Sequence, residues 1–239
     1  MSGLIFKEFY QNRKLLWFVF FPFLLIPGTI ISEAARGTPA NSIMMSVMLY
    51  EVIIMFFGYM VTTEMMKYDE RKAWAAFIVS TPQAARGQVA SKYYFSLIVL
   101  VGSVFVSYIY DVVACAAADL DFSALPFTSN LFFLLIFMLS VEIPFSIRFG
   151  SVNGNKYRAM IVILLLFAGM VYLLFGDLSI FGEPEKIAES LIKIINGEGV
   201  PDALLIIMGI FPYFSIVMFY LSYKLSCRLY IKGVESFEK

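Results

Sequence analysis

Residues that commonly carry out chemistry in proteins are scarce in this sequence. Its 239 residues include no histidine, which removes the usual general base and the commonest metal ligand. The two cysteines, Cys115 and Cys227, are too few for a disulfide framework, and we expect both to be reduced and structural. Histidine-dependent nucleophilic and metal catalysis are therefore excluded. We expect no catalytic residue, metal site or bound cofactor in this chain.

Two patterns are similar to known functional motifs, and both depart from them. The glycine-rich stretch 150–156 lacks the Gly-x4-Gly-Lys-Ser/Thr spacing of a phosphate-binding loop, so any ATP hydrolysis must take place in another chain. Asp111 and Asp177 follow Tyr and Gly, as in the motif pair of intramembrane aspartyl proteases. However, Leu174 replaces the first glycine of the second motif, and both aspartates are predicted near outer helix ends.

Three acidic residues, Glu51, Asp111 and Glu142, lie inside strongly apolar segments. Carboxylates within a membrane are costly and usually face a cavity or a partner. They could line a polar path, or they could form hydrogen bonds between helices or reach the interface. The sequence leaves both interpretations open for Glu142 and favours the second for the other two.

The composition indicates a membrane protein, since 60% of the residues are hydrophobic and 15% are charged. Six apolar runs are each close to the roughly 20 residues that a helix needs to cross a bilayer. They are residues 15–31, 43–63, 93–115, 131–147, 160–176 and 204–225. Because unpaired backbone groups are not tolerated in lipid, we predict an all-α protein with six transmembrane helices in a single domain, residues 1–239.

The basic residues predict the orientation of these helices. Of the 18 lysines and arginines, only Arg36, Lys186 and Lys193 fall in the loops on one side. Basic residues concentrate in cytoplasmic loops, so both termini and the loop 64–92 are predicted to be cytoplasmic. Formal net charge is zero, which indicates no nucleic-acid partner.

Two helices are predicted beside the spans. The first 14 residues predict an interfacial helix with Leu4 and Phe9 on one face and Glu8 and Asn12 on the other; the alternative is a signal peptide. The outer loop 177–202 predicts an external amphipathic helix. That helix either packs on the outer ends of the spans or serves as a lid or partner site.

The longest charged interval is residues 67–94, which we call the elbow. Apolar runs flank it on both sides. Trp74, Phe77 and Ile78 have the i, i+3, i+4 spacing of one helix face, which predicts a short helix. The Thr-Pro pair that follows predicts the start of a second helix. The elbow therefore has the features of a rigid cytoplasmic element that receives force from another protein.

The elbow resembles the matching region of ABC-2 type exporter permeases, small six-span bacterial membrane proteins. The shared order is an acidic approach, a tryptophan, Ser-x-Pro, a basic residue and Lys-Tyr before the third span. Here these are Asp69-Glu70-Arg71-Lys72, Trp74, Ser80-Thr81-Pro82, Arg86 and Lys92-Tyr93. The likeness covers most of the chain in architecture and about 30 residues in motif. Ala84, Ala85 and Gly87 depart from the family pattern.

This resemblance implies a membrane subunit of an ATP-driven exporter in the bacterial cytoplasmic membrane. Its implied partners are two cytosolic ABC ATPase subunits, which bind ATP and magnesium, and a second permease, identical or homologous. The implied cargo is apolar or amphipathic, with peptides as one class. The alternative is a non-transporting membrane partner, such as an assembly or sensor protein, that binds a cytosolic protein through the elbow.

The resemblance also implies two docking elements for the ATPase. The first is a coupling helix with Arg71, Lys72, Trp74, Phe77 and Ile78. The second is a cytoplasmic loop with Arg148, Asn153, Lys156 and Arg158. Without the resemblance, Trp74 is better interpreted as an aromatic anchor at the lipid headgroups.

Overall fold

A computed structural model describes the chain in several stretches. These are residues 2–23, 25–66, 84–118, 124–150, 153–154, 156, 159–160, 163–164, 167 and 202–235. Over these residues the structure is helical and contains no strand, which confirms the predicted all-α class. The helices are α1 (Ser2–Phe23), α2 (Ile26–Ala35), α3 (Ala40–Glu64), α4 (Ala84–Ala118), α5 (Leu125–Phe149) and α6 (Asp202–Glu235).

Four stretches of the described helices are long and apolar enough to cross a membrane. They are Ser42–Glu64, Arg86–Ala118, Leu125–Phe149 and Gly209–Tyr230. They coincide with the predicted second, third, fourth and sixth spans. The predicted fifth span lies almost wholly outside the described residues, and so does the external helix region 177–202 up to residue 201. The complete six-span arrangement therefore stays a prediction.

The predicted first span is divided between α1 and α2. Pro27 lies in the first turn of α2 and has no N–H group, so the carbonyl of Phe23 lacks its helical i+4 donor. The hydroxyl of Tyr110 on α4 donates a hydrogen bond to that carbonyl at 2.7 Å instead. A break at membrane depth is tolerated when neighbouring groups satisfy the freed backbone. A separate N-terminal interfacial helix is not seen, because α1 continues without interruption from Ser2 to Phe23.

The buried face of α1 includes polar residues that we expected on the face opposite Leu4 and Phe9. Glu8 and Asn12 are fully buried. The Glu8 carboxylate lies 3.0 Å from the Lys7 ammonium group, and the Asn12 amide donates to the Glu8 carbonyl. These local contacts offset part of the cost of burial. Phe9 lies on the same side and packs edge-to-face on Phe95 of α4, with ring centroids 5.0 Å apart.

The second helix predicted in the elbow is continuous with the third span. α4 runs as one helix from Ala84 to Ala118, and no proline interrupts it. Gly87, which departs from the family pattern, is buried within its first turns. The elbow therefore connects directly to a helix that is long and apolar enough to cross a membrane.

Close approach between α3 and α4 sets the centre of the bundle. A Cβ atom on Gly58 would overlap the Ser103 hydroxyl and lie 3.3 Å from the Ser103 Cβ atom, so α3 approaches α4 closely here. Ile54, Leu100 and Leu139 pack in the core around this contact and are at most 1% exposed. α6 packs mainly against α5, and both helices continue through internal prolines.

Candidate functional site

The residues of the predicted coupling helix lie outside the described part of the chain. They are Arg71, Lys72, Trp74, Phe77 and Ile78. What the structure describes is how the elbow is attached at its two ends. Met65 and Met66, which follow α3, are buried, and so are Val89 and Ala90 near the start of α4. Both ends of the elbow are thus packed into the bundle, so a displacement of the elbow acts on tightly packed helices.

The second predicted docking element follows α5. Gly150 ends that helix with φ +81°, a conformation that favours glycine, and its carbonyl accepts a hydrogen bond from the Gly154 N–H at 2.7 Å. Arg148 in the last turn of α5 is exposed, and so are Asn153 and Lys156 after it, whereas Arg158 lies outside the described residues. Two basic side chains and an amide are therefore exposed at and just after the end of α5, on the predicted cytoplasmic side.

That turn folds back onto the end of α5. A Cβ atom on Gly154 would lie 3.0 Å from the main-chain oxygen of Phe145 and from the Cα atom of Ser146. Gly154 is itself buried. The turn is therefore packed closely against the end of α5.

Glu142 connects α5 to α3. It is 2% exposed and accepts a hydrogen bond from the hydroxyl of Tyr59. The structure thus places Glu142 in a contact between helices, which is one of the two interpretations that the sequence left open. Tyr59 was not singled out from the sequence, because no local pattern shows that α3 supplies a donor at this depth.

The other two acids lie together at the opposite end of the bundle. Thr128 of α5 donates a hydrogen bond to Glu51 at 2.6 Å, and the main-chain N–H of Ala124 donates to Asp111 at 2.8 Å. Glu51 and Asp111 are buried and interact electrostatically. Tyr59 lies eight residues from Glu51 along α3, a separation of about 12 Å. The Tyr59–Glu142 contact and the Glu51–Asp111 pair therefore lie at different levels of the bundle.

A cluster that the sequence did not reveal joins α4 to α6. The hydroxyl of Tyr93 lies 2.6 Å from that of Ser222 and 2.8 Å from that of Ser226. The Tyr93 ring packs edge-to-face on Phe219 and Tyr223, with centroids 4.9 and 5.5 Å away. We call these five residues the Tyr93 cluster. Two serines four residues apart on an apolar helix were the only local sign of it.

Comparison with known proteins identifies the family to which this chain belongs. A family model described as ABC-2 family transporter protein matches residues 3–231, nearly the whole chain. The chain is a member of the ABC-2 transporter family. No curated protein and no solved structure gives a significant match. The match confirms the resemblance that the elbow motif and the apolar spans indicated.

As an ABC-2 family member, the chain is an integral membrane permease of an ABC transporter. The family consists of membrane subunits that are normally not catalytic themselves and that work with an ABC ATPase. Within the described stretches, this permease contains no group of three or more cysteine or acidic side chains that could hold a metal ion.

Proposed function

We propose that this ABC-2 permease is the membrane-spanning subunit of an exporter whose energy comes from two cytosolic ATPase subunits. The observation that carries the proposal is the family match over residues 3–231, together with apolar spans on both sides of a charged elbow. ATP and magnesium bind the ATPase subunits, and this chain holds no cofactor. The permease lies in the bacterial cytoplasmic membrane with both termini in the cytoplasm.

The elbow is the proposed main docking element. Trp74 and Phe77 are the anchors, because large aromatic side chains contribute most of the binding energy at protein interfaces. Arg71 and Lys72 supply charge at the rim, and Ile78 completes the apolar face. The packed ends of the elbow support this role, since force applied between Met66 and Ala84 acts on buried residues of the bundle.

The turn after α5 is the proposed second contact with the ATPase. Arg148 at the end of α5 is exposed, as are Asn153 and Lys156 after it, and Arg158 follows them along the chain. Rim charges of this kind act mainly on the rate of association and on partner selection. Their proposed role is to select and orient the ATPase, while the elbow supplies most of the affinity.

A second permease, identical or homologous, completes the proposed transporter. Closure of the two ATPase subunits on ATP moves two elbows and switches the paired permeases between inward-facing and outward-facing states. The proposed cargo is apolar or amphipathic, with peptides as one class. The chain contains 25 phenylalanines, 14 tyrosines and 13 methionines but few charges, a composition that suits such a cargo. Glu51, Asp111 and Glu142 are the proposed polar residues near its path.

The proposal is tested by isolating the permease and its partners from native membranes. We expect an ABC ATPase to co-purify with the wild-type chain and to be lost when Trp74→Ala and Phe77→Ala are combined. The matched control combines Trp17→Ala and Phe6→Ala, which removes the same ring types from exposed positions on α1. Expression and thermal stability are measured for each variant.

Two results contradict the proposal. One is an ATPase that binds and turns over equally well with the elbow variant and with wild type. The other is a wild-type chain that co-purifies with a cytosolic protein other than an ATPase, which supports the assembly or sensor alternative. External labelling of Trp74 in intact cells would also contradict the cytoplasmic position of the elbow.

A further inference from the structure

The helix that leaves the elbow can transmit displacement over the whole membrane. α4 has 35 residues and is therefore about 50 Å long. It contains no proline, and the side chains from Gln88 to Tyr93 near its first end are buried. A movement of the elbow must consequently shift the first turns of α4 together with whatever they contact.

The Tyr93 cluster holds this end of α4 to the last helix. Tyr93 is 4% exposed, and its hydroxyl contacts serines on two successive turns of α6. Its ring lies between Phe219 and Tyr223. If α6 slid by one turn relative to α4, the hydroxyl would lose at least one of its serine partners and the ring its present packing. A buried hydroxyl without a partner is costly, so the two helices have one strongly favoured register at this point.

α6 in turn is firmly attached to α5. Among the described helices these two share the most extensive contact. Phe137 of α5 packs on Phe211 and Phe214 of α6, with ring centroids 6.1 and 5.8 Å away. Arg148 lies in the last turn of α5, next to the proposed second docking element. The two proposed docking elements therefore meet at α6, one through α4 and Tyr93 and the other through α5.

We propose that Tyr93 is a positioning residue that makes α6 follow α4 when the elbow moves. The inference rests on the proposed docking of an ATPase on the elbow and adds the step by which that movement reaches the last span. Tyr93 touches neither ATP nor cargo in this proposal; it acts by keeping two helices in one register. Loss of its hydroxyl then leaves docking intact and weakens the coupling between ATP binding and movement of α6.

The test uses the permease bound to its ATPase in lipid nanodiscs. Spin labels are attached to Ile98→Cys on α4 and Leu221→Cys on α6, both at exposed positions, after Cys115 and Cys227 are replaced by serine. The distance between the labels is measured without nucleotide and with ATP and vanadate. In the wild type we expect the same distance in both states, because the two helices move together.

The Tyr93→Phe variant keeps the ring and removes the hydroxyl. We expect it to bind the ATPase as the wild type does, but with a label distance that changes when ATP binds. The stimulation of ATP hydrolysis by the permease should fall about 2- to 30-fold, the range of mutational effects on coupling between sites. Tyr94→Phe, at the exposed neighbouring position, is the matched control and should leave both measurements unchanged.

Combining Ser222→Ala with Ser226→Ala removes the same contacts from the side of α6. This variant should change the label distance and the stimulation of ATP hydrolysis as Tyr93→Phe does. Combined with Tyr93→Phe, it should cause no further change. It also keeps the test decisive if Tyr93→Phe fails to fold. The inference is wrong if the labels separate in the wild type on ATP binding, or if Tyr93→Phe matches the wild type or loses ATPase binding. A wild-type permease that binds no ATPase at all instead contradicts the proposed function on which the inference rests.

Discussion

Tyr110 donates a hydrogen bond from α4 to the main-chain carbonyl of Phe23, at the point where the first apolar segment breaks into two helices. The contact spans 87 residues along the chain. Tyr110 is 1% exposed, so no water reaches the hydroxyl from the surface. A break at this depth is therefore stabilised by a residue of another helix rather than by solvent.

This relationship predicts that Tyr110→Phe lowers the free energy of unfolding. The variant keeps the ring but leaves the Phe23 carbonyl without its donor, and we expect a loss of about 1 kcal/mol. The measurement is denaturation of the purified permease in mixed detergent micelles containing increasing SDS. Tyr108→Phe changes an exposed tyrosine of the same helix and should have no effect. Equal stability of Tyr110→Phe and wild type would show that the carbonyl has another donor.

The sequence predicts the long spans well, because lipid allows very few backbone conformations. An apolar run of about 20 residues with no unpaired backbone must be a helix, and α3, α4, α5 and α6 each contain the predicted run. Pro27 favours an interruption of the first apolar run, because proline removes a helical hydrogen bond. The form of this interruption could not be predicted, because whether the freed carbonyl finds a donor depends on Tyr110 in a distant part of the chain.

The contacts between helices were also hard to predict, because they join residues that lie far apart in the sequence. Glu8 was expected on the polar face of an interfacial helix because amphipathic patterning separates polar from apolar residues, whereas it is buried in the bundle. Tyr93 was identified only as part of a family motif, and its partners Ser222 and Ser226 lie 129 and 133 residues away. Local patterns show which residues are apolar but not which helices meet.

Gly58 and Gly102 provide a direct test of the packing between α3 and α4. A Cβ atom at Gly58 would overlap the Ser103 hydroxyl, whereas one at Gly102 would meet nothing within 4 Å. Overpacking of a helix contact costs about 1–3 kcal/mol, so Gly58→Ala should destabilise the permease by that amount. Gly102→Ala should be neutral or stabilising by up to about 1 kcal/mol, because alanine favours helix. Both effects are measured by denaturation in SDS.

A second substitution distinguishes this overlap from a general effect at Gly58. Combining Gly58→Ala with Ser103→Gly removes the hydroxyl that the new methyl group meets, and should recover part of the lost stability. If the stability changes of Gly58→Ala and Ser103→Gly simply add in the double variant, α3 and α4 do not approach at these positions.

The buried carboxyl group of Glu51 leads to the last prediction. Its Oε2 atom accepts a hydrogen bond from Thr128, and its Oε1 atom has no hydrogen-bond partner among the described residues. Thr128→Val preserves the shape of the side chain and removes the donor. Since this leaves a buried acidic group with still less compensation, we expect a loss of about 1–3 kcal/mol in the free energy of unfolding.

The control for this change is Thr63→Val. The hydroxyl of Thr63 donates to the Met60 carbonyl of its own helix near the membrane surface, so its loss should cost little. Glu51→Ala combined with Thr128→Val should be no less stable than Thr128→Val alone, because the buried acid that needs the donor is then absent. If Thr128→Val proves as stable as Thr63→Val, the hydrogen bond to Glu51 does not hold α3 and α5 together.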